Sequence, residues 1–131
     1  MYQLTAIFNR SCLKDVLQEL FEREIEGVTV SSVIGKGGIG FIEKNGDIDL
    51  DEKVRVDIIL SNELYKEIAK EAIRSNTQDT GHGSGKMWVT PVLEVERIRT
   101  GETNEAALTQ SSKSKKVFHD NYYTAIDTPA S

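Results

Sequence analysis

At 131 residues the chain has room for one domain built on one modest core. Its formal net charge of −5, with 21 acidic against 16 basic residues, argues against an extended nucleic-acid surface, so any affinity for phosphate must be local. No apolar run approaches the roughly 18 residues needed to cross a bilayer, and Met1-Tyr2-Gln3-Leu4-Thr5 has neither a basic n-region nor an apolar h-region, which predicts a cytoplasmic protein.

Residues 2–9 alternate, with Leu4, Ala6 and Phe8 on one face, and predict a first strand. Ser11 is a natural N-cap and Asp15 sits in the first turn. Leu13, Val16, Leu17, Leu20, Phe21 and Ile25 then recur at helical spacing, so an amphipathic helix is expected over 12–25, ending before Gly27. The lone Cys12 makes no internal disulfide, and with two distant histidines it offers no zinc spacing. Val28, Val30 and Val33 open a second strand, which runs into Gly35-Lys36-Gly37-Gly38-Ile39-Gly40, too rich in glycine to hold a ladder.

Residues 36–53 read as a flexible excursion. Within it Asp47, Asp49 and Asp51 have the alternate spacing of a calcium loop, but the glycine and the distal bidentate glutamate that such a loop needs are missing. Val54, Val56, Ile58 and Leu60 predict a third strand. Ser61 is placed as the cap of a second helix over 62–76 that buries Leu64, Ile68, Ala69, Ala72 and Ile73. A fourth strand is expected over 87–95, where Pro91 implies an edge position or a bulge. Beyond it, residues 109–117 read as a mobile basic linker carrying Lys113, Lys115 and Lys116, followed by an aromatic tail from Phe118 to Tyr123.

The order is βαββαβ, an α+β ferredoxin-like pattern. Helices on one side of such a sheet are expected to leave its other face apolar and in need of cover by further copies, with Val54, Val56, Ile58 and Met87 as candidates for the two faces.

The stretch that points to chemistry is Thr80-Gly81-His82-Gly83-Ser84-Gly85-Lys86. Its glycines let consecutive N–H groups converge on an anion, and the lysine adds a positive charge at the rim. It differs from a Walker loop. Only three residues separate Gly81 from Gly85, Met87 stands where a magnesium-binding Ser or Thr is needed, and the motif leads into a strand. Downstream, Arg97-Ile98-Arg99-Thr100-Gly101-Glu102 is expected to place two guanidinium groups on one side of an extended segment, where they grip phosphate oxygens.

These fragments resemble the PII signal-transduction family. Arg97–Glu102 with Glu105-Ala106-Ala107-Leu108 is similar to the family's C-loop, and Gly83-Ser84-Gly85-Lys86 to its B-loop. Gly27-Val28-Thr29-Val30 and Val33-Ile34-Gly35-Lys36-Gly37 are similar to its second strand and the base of its T-loop, and Leu13, Asp15 and Val16 to its first helix. The resemblance implies one domain over residues 1–108, with a T-loop at about 36–53, a B-loop at about 79–86 and a C-loop at about 96–108, and a C-terminal extension over 109–131.

It further implies a homotrimer that binds ATP or ADP in three intersubunit clefts, with magnesium admitted but not required. Gly83, Ser84, Gly85 and Lys86 would cradle phosphates reached by Arg97 and Arg99. Thr29 would lie near the adenine, Gly35, Lys36 and Gly37 would border the phosphates, and Asp57 and Ile59 would line the base or ribose side.

Three departures narrow the expected function. No tyrosine lies between Gly37 and Lys53, so uridylylation of a T-loop tyrosine has no acceptor. Ile39 stands where the family has a glutamine that helps hold the magnesium to which 2-oxoglutarate binds. Lys53 resembles the lysine at the loop's exit, but alone it makes a poor oxoacid site. Ser84 replaces an aspartate, which admits ADP as readily as ATP. The expectation is a non-enzymatic adenylate sensor that reports energy state to a target protein through its T-loop, the target being a membrane transporter, with no nucleic-acid partner. The alternatives are a cyclic-dinucleotide receptor and a slow ATP-hydrolysing protein using the same cleft, for which His82 and Asp57 are the candidate bases.

Overall fold

The computed structural model describes residues 1–35, 43–44, 47–48, 50–78, 84–108 and 110. The first alternating stretch forms β1 (Tyr2–Asn9), with Leu4, Ala6 and Phe8 buried together. A 3-10 turn, Arg10–Cys12, separates it from α1 (Leu13–Glu22). Ser11 therefore lies inside that turn and does not cap the helix; the N-cap is Cys12, with no side-chain hydrogen bond. The helix also stops short of Ile25. Glu24 adopts a left-handed backbone, φ 66°, and the N–H groups of Glu24 and Ile25 turn back to the Phe21 and Leu20 carbonyls at 2.9 Å each. This Schellman closure satisfies two of the last carbonyls and delivers Ile25 into the core.

β2 (Val28–Gly35) is followed by a small antiparallel pair, β3 (Glu43–Lys44) and β4 (Asp47–Ile48), and then by β5 (Asp51–Leu60). β5 starts three positions before the first valine of its alternating run, because Lys53, Glu52 and Asp51 pair with Val33, Ile34 and Gly35. Backbone N–H and C=O groups extend this ladder without apolar side chains to mark it. The expected excursion over 36–53 is thus partly strand.

In α2 (Glu63–Ser75) the cap is Asn62, whose Oδ1 accepts from the Tyr65 N–H at 2.9 Å, and not Ser61. Leu64, expected inside, is 63% exposed, because Tyr65 takes the inward position. The last strand, β6 (Gly85–Pro91), begins and ends earlier than the expected 87–95, and Pro91 closes it at the sheet edge.

The four long strands pair antiparallel in the order β2-β5-β1-β6. With two helices on one face this is the α+β ferredoxin-like fold. The core lies between sheet and helices. Val54, Val56, Ile58 and Leu60 of β5 all point into it, with Met87 and Val89 packed at its side, against Val16 and Leu20 of α1 and Ala69, Ala72 and Ile73 of α2. Val54, Val56, Ile58 and Met87 thus share one face. The opposite face is not apolar as expected. Because β1 and β5 alternate strictly, it carries Gln3, Thr5 and Asn9 beside Lys53, Arg55 and Asp57, with Ile7 and Ile59 between them. Among the described residues no helix is long and apolar enough to cross a membrane.

Candidate functional site

The expected site residues fall into four places, built by different elements. On the open face of the sheet, Thr29 pairs with Asp57, Asp57 with Thr5, and Thr5 with Trp88, forming one row across all four strands. Asp57 is the hub. Its Oδ1 accepts from Thr5 Oγ1 at 2.7 Å and from Gln3 Nε2 at 3.2 Å, and its Oδ2 accepts from Arg55 Nε at 3.1 Å. Burial pushes the Asp57 carboxyl up, but the hydrogen bonds from Arg55, Thr5 and Gln3, with the Arg55 charge, outweigh it and hold the carboxyl below its usual value. Asp57 is therefore an ionised anchor with its acceptor sites engaged. Ile59 lies two residues on, opposite Gln3.

Gln3, Thr5 and Arg55 were missed from sequence. The signal was the polar half of the period-two alternation in residues 2–9 and 54–60, but which polar residues meet depends on the register between the strands.

The glycine cradle is reached from the other end of the sheet. Gly85 pairs with Phe8 and Lys86 with Ile7. Gly85 has φ 115°, and a Cβ there would stand 2.0 Å from the Ile7 carbonyl oxygen. Only glycine fits where β6 starts, and this demand comes from strand approach, independently of any ligand. Ser84, Gly85 and Lys86 line a cleft of about 140 Å³ together with Arg74, Thr77 and Gln78 at the end of α2. Gly83, with Thr80 to His82, lies outside the described residues.

At the base of the excursion, Gly35 closes β2 opposite Asp51; Lys36, Gly37 and Ile39 lie outside the described residues. A second cleft, of about 380 Å³, is lined by Ser32, Val33, Ile34, Glu52 and Lys53. Lys53 is buried here and donates to Asn9 Oδ1 at 2.7 Å, while Arg10 bonds Ser32 Oγ and approaches Glu52 at 4.0 Å.

The fourth place is the turn after β6, and it is not extended as expected. The Arg97 N–H donates to the Glu102 carbonyl and the Gly101 N–H to the Arg97 carbonyl, each at 2.8 Å, with Gly101 at φ 75°. The two arginines therefore differ. Arg97 lies 3.3 Å from Glu102 Oε1 through Nη1 and donates to the Ala107 carbonyl through Nη2 at 3.0 Å. Arg99 is exposed and has no partner among the described residues. Just beyond, Gln110 is 1% exposed; its Oε1 accepts from the Ser61 N–H at 2.9 Å and its Nε2 donates to the Ile59 carbonyl at 2.8 Å. Neither Arg97 nor Arg99 lines the cleft beside Lys86.

A ferredoxin-like sheet with a glycine-lysine strand entry, a polar open face and an arginine-bearing turn defines a small α+β domain. The family model described as Nitrogen regulatory protein P-II matches residues 1–102, and the chain belongs to that family of regulatory signalling proteins. It is 39% identical over 113 residues to Nitrogen regulatory protein P-II 1 of Methanothermobacter thermautotrophicus, covering 82% of this chain and 97% of the relative. Nitrogen regulatory protein P-II of Cyanidium caldarium is 36% identical over 112 residues (81% and 97%), and that of Azospirillum brasilense 34% over 113 residues (82% and 100%). Members of the family are typically trimeric and act on target proteins.

Proposed function

We propose that this protein binds ATP and ADP in clefts completed between copies of the chain, and that it reports the adenylate state to a target protein such as a transporter. The observation that carries the reading is the size and lining of the cleft at Ser84-Gly85-Lys86. At about 140 Å³ it is below the roughly 300 Å³ at which small-molecule pockets begin. Among the described residues one chain offers a phosphate-sized recess with a lysine, and no wall for a base. The missing wall has a natural source in the residues that the same chain holds elsewhere, namely Thr29, Asp57 and Ile59 on the open face and Arg97 and Arg99 on the turn. A cyclic arrangement of copies brings one chain's recess against the next chain's turn.

In this reading Gly83, Ser84, Gly85 and Lys86 hold phosphates, Gly35, Lys36 and Gly37 border them, Arg99, without a partner among the described residues, reaches them from the turn, and magnesium is admitted but not required. Of the two candidate bases for hydrolysis, Asp57 is held ionised by its donors and is a poor proton acceptor, and His82 lies outside the described residues. The signal is a population shift of the T-loop, so the target is part of the switch. The test is isothermal titration with ATP, ADP, AMP and cyclic dinucleotides, with and without Mg²⁺ and 2-oxoglutarate. ATP and ADP should bind. 2-Oxoglutarate should give no signal and leave ATP affinity unchanged, because isoleucine at position 39 cannot ligate a hard cation. A cyclic dinucleotide as the tightest ligand, or no adenylate binding, would contradict the reading.

A further inference from the structure

We infer that Gln110, outside the span of the family match, is a positioning residue for the phosphate-binding half-site, holding Arg97 in register with the open face of the sheet; this rests on the adenylate-binding reading above. Gln110 is 1% exposed and spends both ends of its amide on β5 and its exit, the Oε1 on the Ser61 N–H and the Nε2 on the Ile59 carbonyl. A buried side-chain amide with both ends paired fixes the backbone that carries it, because breaking either bond leaves a buried polar group unsatisfied.

Three residues upstream, Ala107 is buried, and its carbonyl accepts from Arg97 Nη2 at 3.0 Å. Glu102 Oε1 stands 3.3 Å from Nη1. The guanidinium is thus gripped from two sides. Of the five N–H donors of a guanidinium one is spent on the Ala107 carbonyl, and the others are held in an orientation already set. The chain of contacts runs from Ile59 and Ser61 through Gln110 and the Ala107 carbonyl to Arg97. It ties the turn to the strand that presents Asp57 and Ile59, so the cation and the proposed base-side wall move as one piece. A cation left on a free side chain would lose that orientation, and supporting contacts of this kind commonly change affinity by about 10- to 100-fold.

The test is a double-mutant cycle on the full chain, with Gln110→Ala, Arg97→Ala and the pair, titrated with ADP, ATP and adenosine. Gln110→Ala should weaken ADP and ATP about tenfold and leave adenosine within about twofold. In the Arg97→Ala background it should have no further effect. Additive losses, or equal losses for adenosine and ADP, would overturn the inference, since a merely structural glutamine would produce them. Should Gln110→Ala fail to fold by circular dichroism, Gln110→Glu replaces it in the same cycle, keeping the acceptor for Ser61 and losing the donor to Ile59. Wild-type protein that binds no adenylate would overturn the proposed function and this inference with it, a result distinct from a wild type that binds and a cycle that is additive.

Discussion

The two faces of the sheet are made by alternate residues of the same strands, yet they do different work. On the covered face Leu4, Ala6, Phe8, Val54, Val56, Ile58 and Leu60 are essentially withdrawn from water, and what matters there is apolar volume. On the open face Gln3, Thr5, Arg55 and Asp57 are specified atom by atom through hydrogen bonds. Shape tolerates exchange among apolar residues of similar size, whereas a polar network loses its function with one missing donor. A single sheet can therefore be held stable by one face while the other, with the turn attached at its edge, is specified residue by residue.

That division can be broken by perturbing each side separately. Ile58→Ala on the covered face should cost about 2–5 kcal/mol of stability while leaving the ratio of ADP to adenosine affinity unchanged, as read by chemical denaturation and titration of the folded fraction. A changed ratio would mean that the two faces are coupled. Arg99→Ala should do the reverse. Exposed and unpartnered among the described residues, Arg99 contributes little to the fold, but its removal should cost ATP and ADP about 1.5–3 kcal/mol of binding with adenosine barely affected. Equal losses for adenosine and ADP would show that this arginine shapes the turn.

The smallest effect concerns pH. Because Asp57 has a lowered pKa in the fold, the unfolded chain takes up the proton more readily. The stability that Asp57 confers is complete above the unfolded aspartate value of about 4 and is lost as pH falls through the lower folded value. Asp57→Asn should flatten this acid limb of the stability profile, and identical slopes in wild type and variant would remove Asp57 as the hub.

The element order and the covered face were legible in the sequence, because period-two runs such as Val54 to Leu60 and the helical spacing from Leu13 to Leu20 state directly which side is apolar. The ends were not. Asn62 and Ser61 are both good cap residues, and only the fold shows that the Asn62 Oδ1 takes the Tyr65 N–H while the Ser61 N–H goes to Gln110, 49 residues away in sequence. Glu24 closes α1 in a left-handed conformation although a glycine, Gly27, stands nearby. In the site, Gly85 and the arginine pair stood out by composition. What composition could not reveal is that Arg97 is tied to Ala107 while Arg99 has no partner among the described residues, since that difference lies in the fold of the turn.

If one chain supplies only half of the binding site, mixing two defective chains should rebuild it. Lys86→Ala removes the cation of the recess and Arg99→Ala that of the turn, and each variant alone should bind ADP poorly. Co-expressed at equal levels and assembled together, they should restore ADP binding at about a quarter of the clefts, where an intact recess meets an intact turn on a different chain. No recovery in a mixed assembly of confirmed composition would place Lys86 and Arg99 in the same chain's site and contradict the account.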